Sequence, residues 1–302
     1  MTVLIAFLAN LLVAIAKTVV ALITGSASMM AEAAHSWADA GNEVFLLIAD
    51  RRSARPKDER HPLGHGREAY VWSMFAAVGI FTAGAVFSVM HGIQELQNPA
   101  PVESAKLAYI VLGVAFLLEG ISFTQAIVQA RRQARKADTS VFRLVLHTSN
   151  TTLRAVVAED SAALVGLVVA AAGIFVHQVT GNAIWDALGS IVIGVLLGIV
   201  ALVLIDRNRH FLVGASSTPG IRTRVGQDLL KHAEIARVTY LHLEYIGPGR
   251  LFLVAEVDLV GDDAEDEVAR QLRRIERELE GHEMIETAVL SLSVSDEASL
   301  EF

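Results

Sequence analysis

The stretch AIWDALGSIVIGVLLGIVALVLI at residues 183–205 decides the class of this protein. Its 23 residues hold a single charge, Asp186, close to one end. About 20 mainly apolar residues suffice to cross the hydrocarbon of a bilayer, so this segment predicts a membrane helix. Working outward, five further segments qualify, at roughly 3–23, 27–49, 70–93, 107–128 and 155–176. The whole chain agrees: over 302 residues 53% are hydrophobic, only 19% are charged, and mean hydropathy is +0.47. An ordinary soluble domain carries about a quarter charged residues. There is no cysteine, which excludes disulfides, thiolate metal sites and cysteine nucleophiles. A formal net charge of −8 argues against nucleic acid as a main partner.

The charges fix an orientation. Arg51, Arg52, Arg55, Lys57, Arg60 and Arg67 lie between spans two and three, and Arg131, Arg132, Arg135, Lys136, Arg143 and Arg154 between spans four and five. The remaining loops offer only Lys106. By the positive-inside rule the basic loops are cytoplasmic, and six spans put both termini on that side. Residues 1–206 then form a six-helix transmembrane domain and residues 207–302 an acidic cytoplasmic one. The opening run lacks a basic leader and further spans follow it, so it reads as a span rather than a signal peptide. With no targeting presequence and a short first loop, a prokaryotic inner membrane is expected.

The acidic tail reads as α+β. An amphipathic stretch near 219–232 precedes Val238–Ile246, then Gly247-Pro248-Gly249 and Leu251–Val260, a hairpin signal. Val268, Leu272, Ile275 and Leu279 recur at helical spacing within 263–281. A last strand at Thr287–Val294 alternates Leu290, Leu292 and Val294 with serines. The order α-β-β-α-β predicts a small ferredoxin-like sandwich.

Ionisable residues inside a membrane helix cost roughly 2.5–3.5 kcal/mol each on insertion scales and mark function by default. Span two carries Glu32, His35, Asp39 and Glu43, all within about 80° of arc at 100° per residue. His35 and Asp39 lie four apart, so they stack on successive turns and can share a cation. Imidazole and carboxylate donors suit Zn²⁺, with Mn²⁺, Fe²⁺, Co²⁺ and Ni²⁺ as alternatives. Span five supplies adjacent acids, Glu159 and Asp160, which point about 100° apart, so one of them faces span two directly. Asp160 sits close to the apparent start of span five, whereas Asp39 is mid-span. A fifth helix that begins earlier, near Asn150, reconciles the two. Asn10 and Lys17 share a face of span one, with Glu43 or Glu119 as the expected partner of Lys17. Gly189 and Gly194, after Asp186, predict close helix packing.

Three blocks together carry a family likeness: Gly25-Ser26-Ala27-Ser28 with HSWAD at 35–39, HPLGHGREAYVW at 61–72, and EDSAALVG at 159–166. The chain resembles the cation diffusion facilitators, proton-coupled exporters of zinc and related divalent metals, and within them the branch that includes zinc transporter nine. The resemblance implies a homodimer with one central metal site per protomer between spans two and five, formed by a pair of (H/D)xxxD motifs. His35 and Asp39 match the first motif and Asp160 the last position of the second. Val156 stands at the fourth ligand's place and cannot coordinate a metal, so Glu159 or a water completes the shell. The resemblance also implies a cytoplasmic loop site at Asp58, His61 and His65. Relatives bind zinc through a His-x-Asp on the last strand, but here the sequence is Ser291-Leu292-Ser293-Val294-Ser295-Asp296, so the domain is expected to dimerise without the full metal cluster. His232, His242 and His282 remain as other histidines of that domain.

The function expected is antiport: ionised carboxylates and neutral His35 take a divalent cation, and protons displace it on the far side. The partners are the metal ion, protons, the bilayer and a second copy, with no resident cofactor, the cation being substrate. A passive channel or sensor is the alternative. A membrane metalloprotease would need an HExxH helix, and none occurs.

Overall fold

A computed structural model describes residues 2–99, 104–136, 139–294 and 296–302, so Ser295 of the last-strand reading lies outside the described residues. The helices are α1 (Thr2–Thr24), α2 (Ala27–Ser53), α3 (Glu68–Gln97), α4 (Ala105–Lys136), a short α5 (Val141–His147), α6 (Thr151–Thr180) and α7 (Ile184–Gly214). There follow α8 (Pro219–Leu229), β1 (Ile235–Gly247), β2 (Arg250–Leu259), α9 (Glu265–Glu280) and β3 (Ile285–Leu292). The chain divides into two compact units, Met1–Asp50 with Val71–Arg209, and Arg51–Tyr70 with His210–Phe302.

In the first unit, α3, α4, α6 and α7 are each long and apolar enough to cross a membrane. The described apolar part of α1 is the shorter Asn10–Thr24, and Glu32, Asp39 and Glu43 interrupt the 27 residues of α2. Leu12, Leu22, Leu117 and Leu202 stay exposed on outer faces, where a bilayer would cover them. Inside, the contacts are between small residues and a few large ones: Met29, Leu112, Leu167, Ile174 and Ile193 form one buried cluster, and Ala38, Phe81, Leu197 and Leu204 another. Small residues let helix backbones approach. At Gly194 a Cβ would lie 2.9 Å from the Ala85 carbonyl oxygen of α3, as the small-residue pattern anticipates. A π-helical turn at Ala77–Phe81 interrupts α3, a feature with no composition signal.

Two helix starts are set by polar caps. Asn150 caps α6, its Oδ1 accepting from Leu153 N–H at 3.0 Å, so the fifth helix does begin where the Asp160 depth requires. Gly25 at φ 66° turns the chain between α1 and α2, a left-handed conformation that glycine adopts without strain. Asp186 of α7 then receives the first turn of α2: the Ser26 hydroxyl at 2.9 Å, the Ala27 N–H at 2.6 Å, and the Ser28 hydroxyl. Arg154, counted above as a loop charge, is buried within α6 and donates to the Thr148 carbonyl at 2.8 Å and Asn208 Oδ1 at 2.6 Å. Arg131, Arg132 and Arg135 also sit on helix, since α4 runs on to Lys136.

The second unit holds the three-stranded sheet in the order β1-β2-β3. β1 and β2 pair antiparallel, with Leu243 opposite Leu253, and Gly249 at φ 70° in the connecting turn. β2 and β3 pair parallel, with Ala255 beside Leu290. A parallel pair needs a crossover, and α9 provides it with Ile275 and Leu279 buried on the sheet beside Leu241, Leu253, Val257 and Ala288. The last strand starts two residues earlier than its alternation suggests. Leu290 is buried, but Leu292, at the end of β3, and Val294, beyond it, are exposed. Residues 51–70 pack into this unit. Tyr70 stacks on Phe211 with ring centroids 5.1 Å apart, and both join Tyr245 and Leu251 in one cluster.

Candidate metal sites

The membrane candidate is built on α2. Of its stripe, Glu32, His35 and Asp39 are each at most 8% exposed, whereas Glu43 is half-buried. His35 Nε2 and Asp39 Oδ1 stand 3.4 Å apart. Neither ring nitrogen of His35 nor Asp39 Oδ1 has a hydrogen-bond partner. Buried polar atoms are nearly always satisfied, so each such orphan asks for a missing partner.

The two acids of α6 diverge. Glu159 faces α2, where its Oε2 accepts from Asn42 Nδ2 at 2.7 Å and its carboxyl adjoins that of Asp39. Asp160 faces α4 and accepts from the Ser122 hydroxyl at 2.8 Å. Asp39, Glu43, Glu119, Glu159 and Asp160 all line one cavity of about 280 Å³, together with Asn10, Ser36 and Ser122. His35 is not among its lining residues. Val156 packs instead with Phe123, Ile127 and Leu153 in an apolar cluster.

Behind this cavity lies an ion-pair network whose partners the sequence left open. Lys17, 1% exposed, donates to Glu32 Oε2 at 2.9 Å and Glu119 Oε1 at 3.0 Å. Glu43, the other partner considered for it, accepts from Asn10 Nδ2 at 2.7 Å. The antiparallel α1–α2 hairpin explains the choice: Lys17 is nearer the Gly25 turn and meets Glu32, while Asn10 is further from it and meets Glu43.

The loop candidate is tighter. Among the described residues, Asp58, His61 and His65 are the group of three whose ligand atoms all lie within 4.8 Å; His35, Asp39, Glu159 and Asp160 do not close to that degree. Asp58 Oδ1 is 3.0 Å from His61 Nδ1 and Asp58 Oδ2 is 3.0 Å from His65 Nε2, with the two rings 4.1 Å apart. A two-residue reversal makes this possible, since Asp58 and His61 bridge backbone to backbone. The His65 and His61 side chains, then the N–H groups of His61 and Arg60, hold the Asp58 carboxyl well below the usual carboxylate range. The segment is pinned to the sheet. Lys57 Nζ donates to Thr287 Oγ1 at 2.9 Å, and Gly66 meets Gly247 so closely that a Cβ on Gly66 would lie 2.8 Å from the Gly247 Cα.

Of the remaining histidines of the sheet unit, His232 and His282 line one pocket with Asp228 and Glu278. His232 Nδ1 lies 3.5 Å from Glu278 and His242 Nε2 3.5 Å from Glu244.

Comparison with known proteins places this architecture. Residues 3–213 match the family model described as the cation efflux transmembrane domain. Metal tolerance protein C4 of Arabidopsis thaliana is 37% identical over 250 residues, 83% of this chain and 54% of that protein. The mitochondrial proton-coupled zinc antiporter SLC30A9 of Homo sapiens is 34% identical over 238 residues, 79% of this chain and 42% of that protein. An uncharacterized transporter of Methanocaldococcus jannaschii is 22% identical across 95% of both chains. The chain thus spans about half the length of the first two curated relatives. With the family model covering the helical unit and two relatives above 30% identity over most of the chain, this protein belongs to the cation efflux, or cation diffusion facilitator, family of membrane transporters.

Proposed function

We propose that the protein is a proton-coupled antiporter that exports divalent metal cations, Zn²⁺ foremost, through a site formed by His35, Asp39, Glu159 and Asp160. In this reading α1, α2, α3, α4, α6 and α7 are six spans with both termini cytoplasmic, and residues 1–206 form the transport domain. Residues 207–302 form a ferredoxin-like domain through which two copies pair. The prokaryotic inner membrane expected above is not carried forward, because the curated relatives include one named as mitochondrial.

The observation that carries the reading is the cavity itself. Five carboxyls converge on about 280 Å³ between the helices, and Asp39, one of them, has an oxygen, Oδ1, with no hydrogen-bond partner. A divalent cation would meet the charge and the orphaned oxygen together. Carboxylates must be ionised, and imidazole neutral, to ligate metal. Protonation therefore competes with binding, and a proton gradient can drive release. Asp58, His61 and His65 form a second, loop site for the same cation class on the cytoplasmic side.

The test is metal flux into liposomes holding the purified protein, an internal metal-sensitive dye and an imposed pH gradient. Zn²⁺ flux that follows the gradient, and is abolished in both Asp39→Ala and Asp160→Ala, is the expected result. Flux indifferent to the gradient favours a channel. Full flux in both variants removes the site assignment.

A further inference from the structure

We propose that Glu119, on α4, is a further ligand of the transported cation, held in place by Lys17, and that it tunes the site toward oxygen-preferring cations such as Mn²⁺. The inference rests on the transport reading above and adds a third helix to the site.

Val156, at the place the resemblance gives to a fourth ligand, packs in an apolar cluster and is not on the cavity wall. Beyond the four residues of the proposed site, that wall offers further donors. α4 presents Glu119 and Ser122 to it, three residues apart and so on one helix face. Ser122 is spent on Asp160. Glu119 divides its two oxygens: Oε1 accepts from Lys17, while Oε2 is buried with no hydrogen-bond partner. Lys17 cannot swing away, because Glu32 holds the same ammonium from α2. The ammonium therefore fixes one oxygen of Glu119 and leaves the other without a hydrogen-bond partner, on a residue that lines the cavity.

Asp39, a ligand of the proposed site, shows the same feature on the same wall. It is 8% exposed, lines the same cavity, and its Oδ1 is also orphaned. Charge points the same way. Five carboxyls line the cavity and, among the described residues, no Lys, Arg or His does. Lys17 is the cation behind them, and a divalent ion would supply the remaining positive charge.

The donor set bears on selectivity. Imidazole favours Zn²⁺, whereas carboxylate and hydroxyl oxygens suit Mn²⁺ and other harder ions. With His35 off the cavity wall and Glu119 on it, the wall is an oxygen surface. Removing one carboxylate should weaken Mn²⁺ more than Zn²⁺.

The experiment measures the concentration dependence of Zn²⁺ and Mn²⁺ flux in liposomes for the full-length wild type, Glu119→Gln, Glu119→Asp and Asp39→Ala. Glutamine keeps the size and an oxygen for Lys17 but removes the charge. Glu119→Gln is expected to weaken apparent Mn²⁺ affinity by about tenfold or more, the lower end of what even an outer-shell change costs, with a smaller effect on Zn²⁺. Should the glutamine variant fail to fold, Glu119→Asp, which keeps the charge but withdraws the oxygen by one methylene, is expected to shift the metal ratio in the same direction. An unchanged Zn²⁺/Mn²⁺ ratio in the folded variants makes Glu119 a partner of Lys17 only and overturns the inference, whether flux is kept or lost equally for both metals. Asp39→Ala, measured beside Asp160→Ala, separates the two ideas, because full flux in both would remove the transport site itself.

Discussion

Lys17 brings an ammonium into a buried wall of carboxylates, and its energetics follow from having two partners. Breaking a buried ion pair by removing one member leaves an uncompensated charge, at a cost of about 3–5 kcal/mol. Lys17→Met should therefore lower the thermal unfolding midpoint of the detergent-solubilised protein by that order of stability. Adding Glu32→Gln should recover part of the loss, since it removes one of the two stranded carboxylates from α2. A double variant as unstable as the single one would mean that Lys17 contributes chiefly by packing its aliphatic stem.

Among the elements, the loop after α2 depends on one backbone contact. A Cβ at Gly66 would come within 2.8 Å of the Gly247 Cα, and neither backbone can yield without moving the loop off the β1–β2 turn. Gly66→Ala should cost about 1–3 kcal/mol, as overpacking does, and should weaken Zn²⁺ binding at Asp58, His61 and His65 in calorimetric titration. Gly113→Ala is the control, because a Cβ there meets nothing within 4 Å. The ionisation of Asp58 does not limit that site near neutrality. Its carboxyl is held below the ordinary range by His65 and His61, so its contribution is complete above the usual carboxylate pKa of about 4 and is lost only as pH falls far below it.

For the whole molecule, the proposed six-span arrangement makes a prediction that a chain without cysteine allows to be checked directly. Single cysteines placed at Arg55, at Thr139 and at Glu301 should all react with a membrane-impermeant maleimide from one side of the bilayer. A cysteine at Asn182, in the connection between α6 and α7, should react only from the other side. Labelling of Asn182 and Arg55 from the same face would break the six-span topology while leaving family membership untouched.

What the sequence determined by itself was whatever short-range pattern can encode. Hydropathy over some twenty residues marks α3, α4, α6 and α7. Alternation and helical spacing mark β1, β2 and α9. Asp58, His61 and His65 were singled out by the family resemblance, spacing alone being only suggestive, and a local reversal gathers them. Even the early start of α6 could be argued from the depth of Asp160. The tertiary structure decided what depends on helix neighbours and on rotation about helix axes. It sent Glu159 toward α2 and Asp160 toward α4, gave Lys17 to Glu32 and Glu119, set Asp186 over the start of α2, and buried Arg154. Each of these joins residues far apart in the chain. A helix's period states which of its residues share a face, but only packing chooses what that face meets.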